Sequence, residues 1–205
     1  MHFSSTGISK SYGKKLILDN IDFSLGQGES AVIIGRNGAG KSTFLSILAG
    51  FLTPDSGSVS KDHLTGFVPQ KDTLFEDLTV KDNLRFWQSA SKSKSNNFVD
   101  MFNVLEYAKK EIKSLSGGMK KSVAICCALA HNPDILIMDE PFAGLDIYYK
   151  AELLKKLETL KNMGKTIIYT SHSTDEMLAF ENLIFLIKDC KLINIQKDDL
   201  HNVFS

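Results

Sequence analysis

The sequence predicts an α/β domain on a mostly parallel sheet, and three observations carry that prediction. Apolar runs without polar alternation stand at residues 30–34, 135–138 and 166–170. Such runs suit strands of a parallel sheet covered on both faces. Helical patterns at 44–49, 120–130 and 147–162 are interspersed with them, as helices covering such a sheet are. The first run leads into a glycine-rich loop, Gly35-Arg36-Asn37-Gly38-Ala39-Gly40-Lys41-Ser42-Thr43, and the helix that follows is closed by Gly50.

Strand, glycine loop, Lys-Ser and helix together form the context of a phosphate-binding loop. Glycines let backbone N–H groups turn toward an anion and approach it closely. The helix N-terminus adds unpaired donors and a partial positive charge. Lys41 is placed to reach the β- and γ-phosphates of a nucleotide, and Ser42 to hold Mg²⁺.

The bulk composition narrows the function classes. A chain of 205 residues with 43% apolar residues suits one domain, or a core with a small lobe. Lys plus Arg and Asp plus Glu each number 24, so net charge makes no case for a nucleic-acid partner. Of the three cysteines, Cys126, Cys127 and Cys190, the first two are adjacent in an apolar helical pattern and read as buried packing residues rather than a disulfide or metal set, which fits a reducing compartment. The N-terminal residues lack the pattern of a signal peptide. No apolar run approaches the length of a membrane span, so a membrane part is expected on another chain.

Residues 2–9 and 17–25 read as strands of an N-terminal antiparallel unit, joined by a turn at Ser11-Tyr12-Gly13-Lys14. On spacing alone Tyr12 is an ordinary turn aromatic. Residues 57–60 and 65–68 read as short strands, with His63 solvated between them and Gln70 just past the second. Composition then shifts. Thr79 is a plausible cap for a helix that includes Leu84 to Trp87. Ser91 to Asn97 form a polar joint, and Phe98, Met101, Phe102 and Leu105 space as one face of a second helix. Residues of about 71–115 read as a helical insertion. With the helix after it they make a helical subdomain of about 71–130, set in a core of 1–70 and 131–205.

Ser116, Gly117 and Gly118 open the next helix. They are either a capping serine with flexible glycines or a second anion site. Asp139 and Glu140 end the buried strand 135–138, where α/β domains bind ligands. They are partners for Mg²⁺ or a solvated acidic turn. Asp146 caps the helix 147–162, and Gly164 closes it. His172 ends the strand 166–170 and is a functional histidine or a capping one. A short helix at 175–180 and strands at 183–188 and 191–196 complete the chain.

The order of these pieces resembles the ABC ATPase family. Walker A is Gly35 to Thr43, the glutamine loop is Gln70, and the signature is Leu115-Ser116-Gly117-Gly118-Met119. Walker B is Ile135 to Asp139 with Glu140 after it, the aspartate loop is Gly144-Leu145-Asp146, and the switch histidine is His172. Residues 78–84, Met119-Lys120 and 144–146 are similar to ABC-2 and haem-exporter type ATPases. The sequence departs from the family pattern in a short segment between Gly57 and Gln70 and in a short helical insertion. Met119 stands for the usual Gln, Phe142 for a common Thr and Ile147 for a common Pro.

The resemblance implies a P-loop NTPase core and an ATP-hydrolysing subunit of a membrane transporter, an exporter by branch. It places Tyr12 against adenine and residues 35–43 around the phosphates. Ser42, Gln70 and Asp139 serve Mg²⁺, and Glu140 is the general base. His172 contacts the γ-phosphate, beside Lys41 and Gln70 in catalysis. Ser116, Gly117 and Gly118 are contributed in trans, with Asp146 at the interface of a homodimer or paired cassettes. A transmembrane permease on a separate chain is the implied partner, and the cytoplasmic face of the membrane the location. The alternative is a soluble family member of cluster-assembly type. No long coiled coil, zinc hook or second cassette points to the repair or translation members.

Overall fold

The computed structural model describes residues 2–71, 73–90, 97–179 and 183–200. The chain begins with β1 (His2–Tyr12), β2 (Lys15–Gly26), β3 (Ser30–Ile34), α1 (Lys41–Leu48), β4 (Ser56–Val59) and β5 (Thr65–Val68). Next come α2 (Val80–Ala90), α3 (Asn97–Met101), α4 (Gly117–Ala128) and β6 (Ile135–Met138). It continues through α5 (Ile147–Asn162), β7 (Thr166–Thr170), α6 (Thr174–Leu178), β8 (Leu183–Lys188) and β9 (Lys191–Ile195). β2, β1 and β4 make an antiparallel sheet in that order. The second sheet runs β5-β6-β7-β3-β8-β9, parallel throughout except for β9 at its edge.

The second sheet explains its own apolar sequence. Successive strand residues face opposite ways. Val32, Ile34, Leu136, Met138, Ile167 and Tyr169 enter one core, with α4 and α5 packed over it. Ala31, Ile33, Ile135, Ile137 and Ile168 enter another, filled by α1 and by Phe3, Ile8 and Phe23 of the antiparallel sheet. With both faces buried, no position in the strand middles can be polar without a partner. Each buried Ile or Leu contributes about 1.5–3 kcal/mol.

The strands 135–138 and 166–170 and the helix 147–162 have the expected limits. Asp146 caps α5 as expected, its Oδ1 accepting from Tyr148 N at 2.9 Å and Tyr149 N at 3.0 Å. Thr79 Oγ1 accepts from Asp82 N at 3.2 Å at the start of α2. Three expectations need correction. The N-terminal strands are longer than 2–9 and 17–25, because pairing continues to Tyr12↔Lys15 across a tight turn. Leu105 is 57% exposed and lies in a 3₁₀ turn, not on the apolar face of Phe98 and Phe102; a left-handed Asn103 (φ +53) breaks the helix first. His63 is not merely solvated: its Nε2 lies 3.0 Å from His2 O, and its ring meets Phe3 edge-on. Most of the expected joint at 91–97 lies outside the described residues.

The three cysteines are free thiols. Burial pushes the Cys127 thiol up to about 12 and Cys126 further, while Cys190 is only half-buried in the β8–β9 turn. Since the thiolate is the reactive form, a thiol-specific reagent at pH 8 should modify Cys190 promptly in the native protein. Cys126 and Cys127 should react only on unfolding. Rapid native modification of all three would contradict this packing.

Candidate functional site

Four neighbouring strands of the parallel sheet deliver the polar and charged residues. β5 ends into Gln70, β6 into Asp139 and Glu140, β7 into Ser171 and His172, and β3 into the glycine loop. Because these strands are adjacent and parallel, the loops after them share one edge. A cleft of about 460 Å³ opens there, lined by Ile17, Asn37, Gly38, Gly40, Lys41, Ser42, Thr43, Gln70, Glu140 and His172. That volume is ordinary for a small-ligand site.

The loop needs its glycines for different reasons. A Cβ on Gly35 (φ +150) would lie 2.7 Å from the Ile187 carbonyl oxygen. One on Gly40 (φ +107) would lie 2.8 Å from Ile17 Cγ2. Gly38 (φ +78) faces open space, so only its backbone conformation requires glycine. No side chain caps α1 at Gly40, which leaves the first amides of that helix for a ligand. Lys41 folds back over the loop, its Nζ donating to Gly35 O at 2.9 Å and Arg36 O at 3.2 Å. Burial draws its pKa below that of an ordinary lysine, and the carboxylates of Glu140 and Asp139 act against that shift.

Opposite Lys41, Glu140 is held by two neighbours. Gln70 Nε2 donates to its Oε2 at 2.8 Å, and His172 Nε2 lies 2.8 Å from its Oε1. Its backbone is left-handed, φ +48, a conformation costing a non-glycine residue roughly 1–2 kcal/mol and one that clusters at functional sites. Asp139 is buried at 3% exposure, and its Oδ1 accepts from Thr170 Oγ1 at 2.7 Å.

Of the residues singled out in the sequence, Asn37, Gly38, Gly40, Lys41, Ser42, Thr43, Gln70, Glu140 and His172 meet at the cleft. Asp139 stands behind Glu140, outside the lining. Tyr12 ends β1 at 53% exposure and does not line the cleft. Ser116, Gly117, Gly118 and Asp146 lie apart from it, at the starts of α4 and α5. Gly118 packs under Tyr149, where an added Cβ would lie 2.4 Å from the ring.

Sequence reasoning missed three participants. Ile17 gave no signal in a strand of mixed pattern. Tyr149 gave none either, as one aromatic of a helix. Thr170 did carry one: it is polar at the carboxyl end of a fully buried strand, next to the residues that line the cleft.

The chain matches the family model described as ABC transporter over residues 18–143. The chain belongs to the ABC transporter family. It is an ATP-binding cassette and an ATP hydrolase. It is 37% identical to the linearmycin resistance ATP-binding protein of Bacillus subtilis, over 94% of this chain and 68% of that protein. It is 33% identical to Nod factor export ATP-binding protein I of Bradyrhizobium diazoefficiens, over 98% and 72% respectively. Among solved structures it resembles a nucleotide-free cassette of an ABC transporter, with TM-score 0.85, 25% identity, and coverage of 100% of this chain and 95% of that one. It also resembles a dimeric post-hydrolysis cassette bound to ADP and Pi, with TM-score 0.84, 26% identity, and coverage of 96% and 99%.

The glycine geometry makes a graded prediction. In urea denaturation Gly38→Ala should cost about 1 kcal/mol, from backbone conformation alone. Gly35→Ala adds a collision with backbone and should cost about 2–4 kcal/mol. Equal losses, or the reverse order, would contradict the loop geometry.

Proposed function

We propose that this cassette hydrolyses ATP at a site completed by a second copy, and that the cycle powers export through a permease on a separate chain. The observation that carries the reading is the Glu140 carboxylate held between Gln70 and His172, on the same cleft as Lys41. Phosphoryl transfer depends on positioning and charge stabilisation rather than covalent chemistry. Lys41 and the amides after Gly38 neutralise charge on the γ-phosphate, the lysine leaving the carbonyls of Gly35 and Arg36 to do so. Glu140 takes the proton of the attacking water as general base, and His172 keeps that water in line. Tyr12, with Ile17 beside the cleft, receives the base.

The donor set fits Mg²⁺. Ser42 offers a hydroxyl, Asp139 a carboxylate and Gln70 an amide oxygen, all hard oxygen donors. Ser42, Asp139 and Gln70 would hold such an ion, which would supply positive charge against the phosphates.

The signature residues support a composite site. Ser116 and Gly117 are exposed at the N-terminus of α4, yet they do not line the cleft of their own chain. A two-fold dimer lets each copy close its α4 over the other's nucleotide, making two identical sites. Ile147 and Tyr148, 76% and 84% exposed beside Asp146, lie where the copies then meet. Hydrolysis adds charge at this interface and opens it.

A permease contact is supported by an exposed aromatic patch. Phe75 and Phe86 are 42% and 47% exposed and meet edge-on at 4.9 Å, with Trp87 packed on Phe86 at 5.5 Å. The backbone of Phe75 is bound on both sides by the buried Asn83 amide, its N–H donating to Oδ1 at 2.9 Å and its carbonyl accepting from Nδ2 at 3.1 Å. The patch begins a few residues after Gln70, so a change at the nucleotide can reach it through one short segment. Among the described residues no helix is long and apolar enough to cross a membrane. Peripheral attachment at the cytoplasmic face follows from such a partner, and export from the names of the relatives.

Two variants test the reading. Lys41→Ala should abolish turnover. Glu140→Gln should bind ATP, turn over at least a hundredfold more slowly, and sediment as a dimer with ATP. Near-normal hydrolysis by either variant, or an ATP-saturated Glu140→Gln that stays monomeric at high concentration, would contradict it.

A further inference from the structure

We propose that the Thr170 hydroxyl is the positioning group that sets both carboxylates of the site at once. The inference rests on the reading above, in which Asp139 serves the metal and Glu140 the water. Thr170 is fully buried, one residue past the point where Met138 of β6 pairs with Tyr169 of β7. Its Oγ1 donates to Asp139 Oδ1 at 2.7 Å and accepts from Glu140 N at 2.7 Å. A hydroxyl has one proton to give, so the donor and acceptor roles are assigned without ambiguity.

The packing alone does not require a hydroxyl here. Valine has the same shape, favours strands and would suit the apolar run of β7. Burying a hydroxyl costs free energy unless it is bonded, and both bonds of this one go to the two acidic residues after β6.

The two peptide groups concerned are anchored on opposite sides. Asp139 N donates to Val68 O of β5 at 2.9 Å. Glu140 N turns the other way and is met by a side chain of β7. At that residue the backbone enters its left-handed conformation, φ +48. The hydroxyl therefore fixes the Asp139 carboxylate and secures the amide at the bend from which the Glu140 side chain reaches Gln70 and His172. Glu140 acts on the reacting water; Thr170 acts through Glu140 and Asp139.

The test compares Thr170→Val and Thr170→Ser in the full chain. Thr170→Val should lower kcat at least tenfold, with KM for ATP changed less than threefold. It should weaken Mn²⁺ binding to the ADP complex at least fivefold, read by electron paramagnetic resonance, and speed hydrogen exchange of the Glu140 amide. Thr170→Ser keeps the hydroxyl and should lie within about twofold of wild type in kcat and Mn²⁺ affinity. If the valine variant is too unstable to assay, the serine variant decides. Its wild-type kcat, Mn²⁺ affinity and Glu140 exchange support the proposal, and losses matching Thr170→Ala overturn it by making the methyl the important group. Wild-type kcat and Mn²⁺ affinity in Thr170→Val also overturn it. A wild-type chain that binds no Mn²⁺ with ADP sinks the metal reading instead, and kcat with the Glu140 exchange rate then decides the role of Thr170.

Discussion

Burial of both faces of the parallel sheet is the constraint from which the rest follows. Strands β3, β6 and β7 carry apolar side chains in two directions, into two separate cores. Charge cannot sit in the middle of such strands without a large desolvation cost. It gathers at their carboxyl ends, and four adjacent strands ending together bring Lys41, Gln70, Glu140 and His172 around one cleft. The functional edge of the domain is thus a consequence of how its core is closed.

At that edge the structure holds opposite charges close while keeping them from collapsing together. Lys41 is bonded to loop carbonyls rather than to Glu140, and Glu140 is bonded to Gln70 and His172. Each charged group keeps a partner that a nucleotide can displace or share. The rigid parts are backbone: a loop pressed against Ile187 and Ile17 at Gly35 and Gly40, and a left-handed turn at Glu140. Such preorganised donors need little rearrangement when phosphate charge arrives.

Much of this was legible in the sequence. Apolar runs with polar residues only at their ends located β3, β6 and β7, because the middle of a strand buried on both faces has few other options. The Asp146 cap and Gly164 bounded α5. The glycine loop and the acidic pair located the cleft. What escaped the sequence depends on side chains meeting across distant segments. Thr170 acquires its meaning from Asp139 and Glu140, about thirty residues earlier. Ile17 reaches the cleft only because β2 passes beside Gly40. Leu105 matched the spacing of a helical face but not the helix, since Asn103 turned the chain first.

The proposed dimer accounts for one remaining fact, that Ser116 and Gly117 stand exposed at a helix N-terminus yet do not line the cleft that holds Lys41 and Glu140. The direct measurement is subunit complementation. Lys41→Ala has a disabled phosphate loop and an intact signature; Ser116→Arg has the reverse. If each site is built from two copies, mixing the two inactive proteins yields heterodimers with one wholly intact site, and ATP hydrolysis reappears. If each chain builds its own site, the mixture stays as inactive as its components, and the account of a shared site fails.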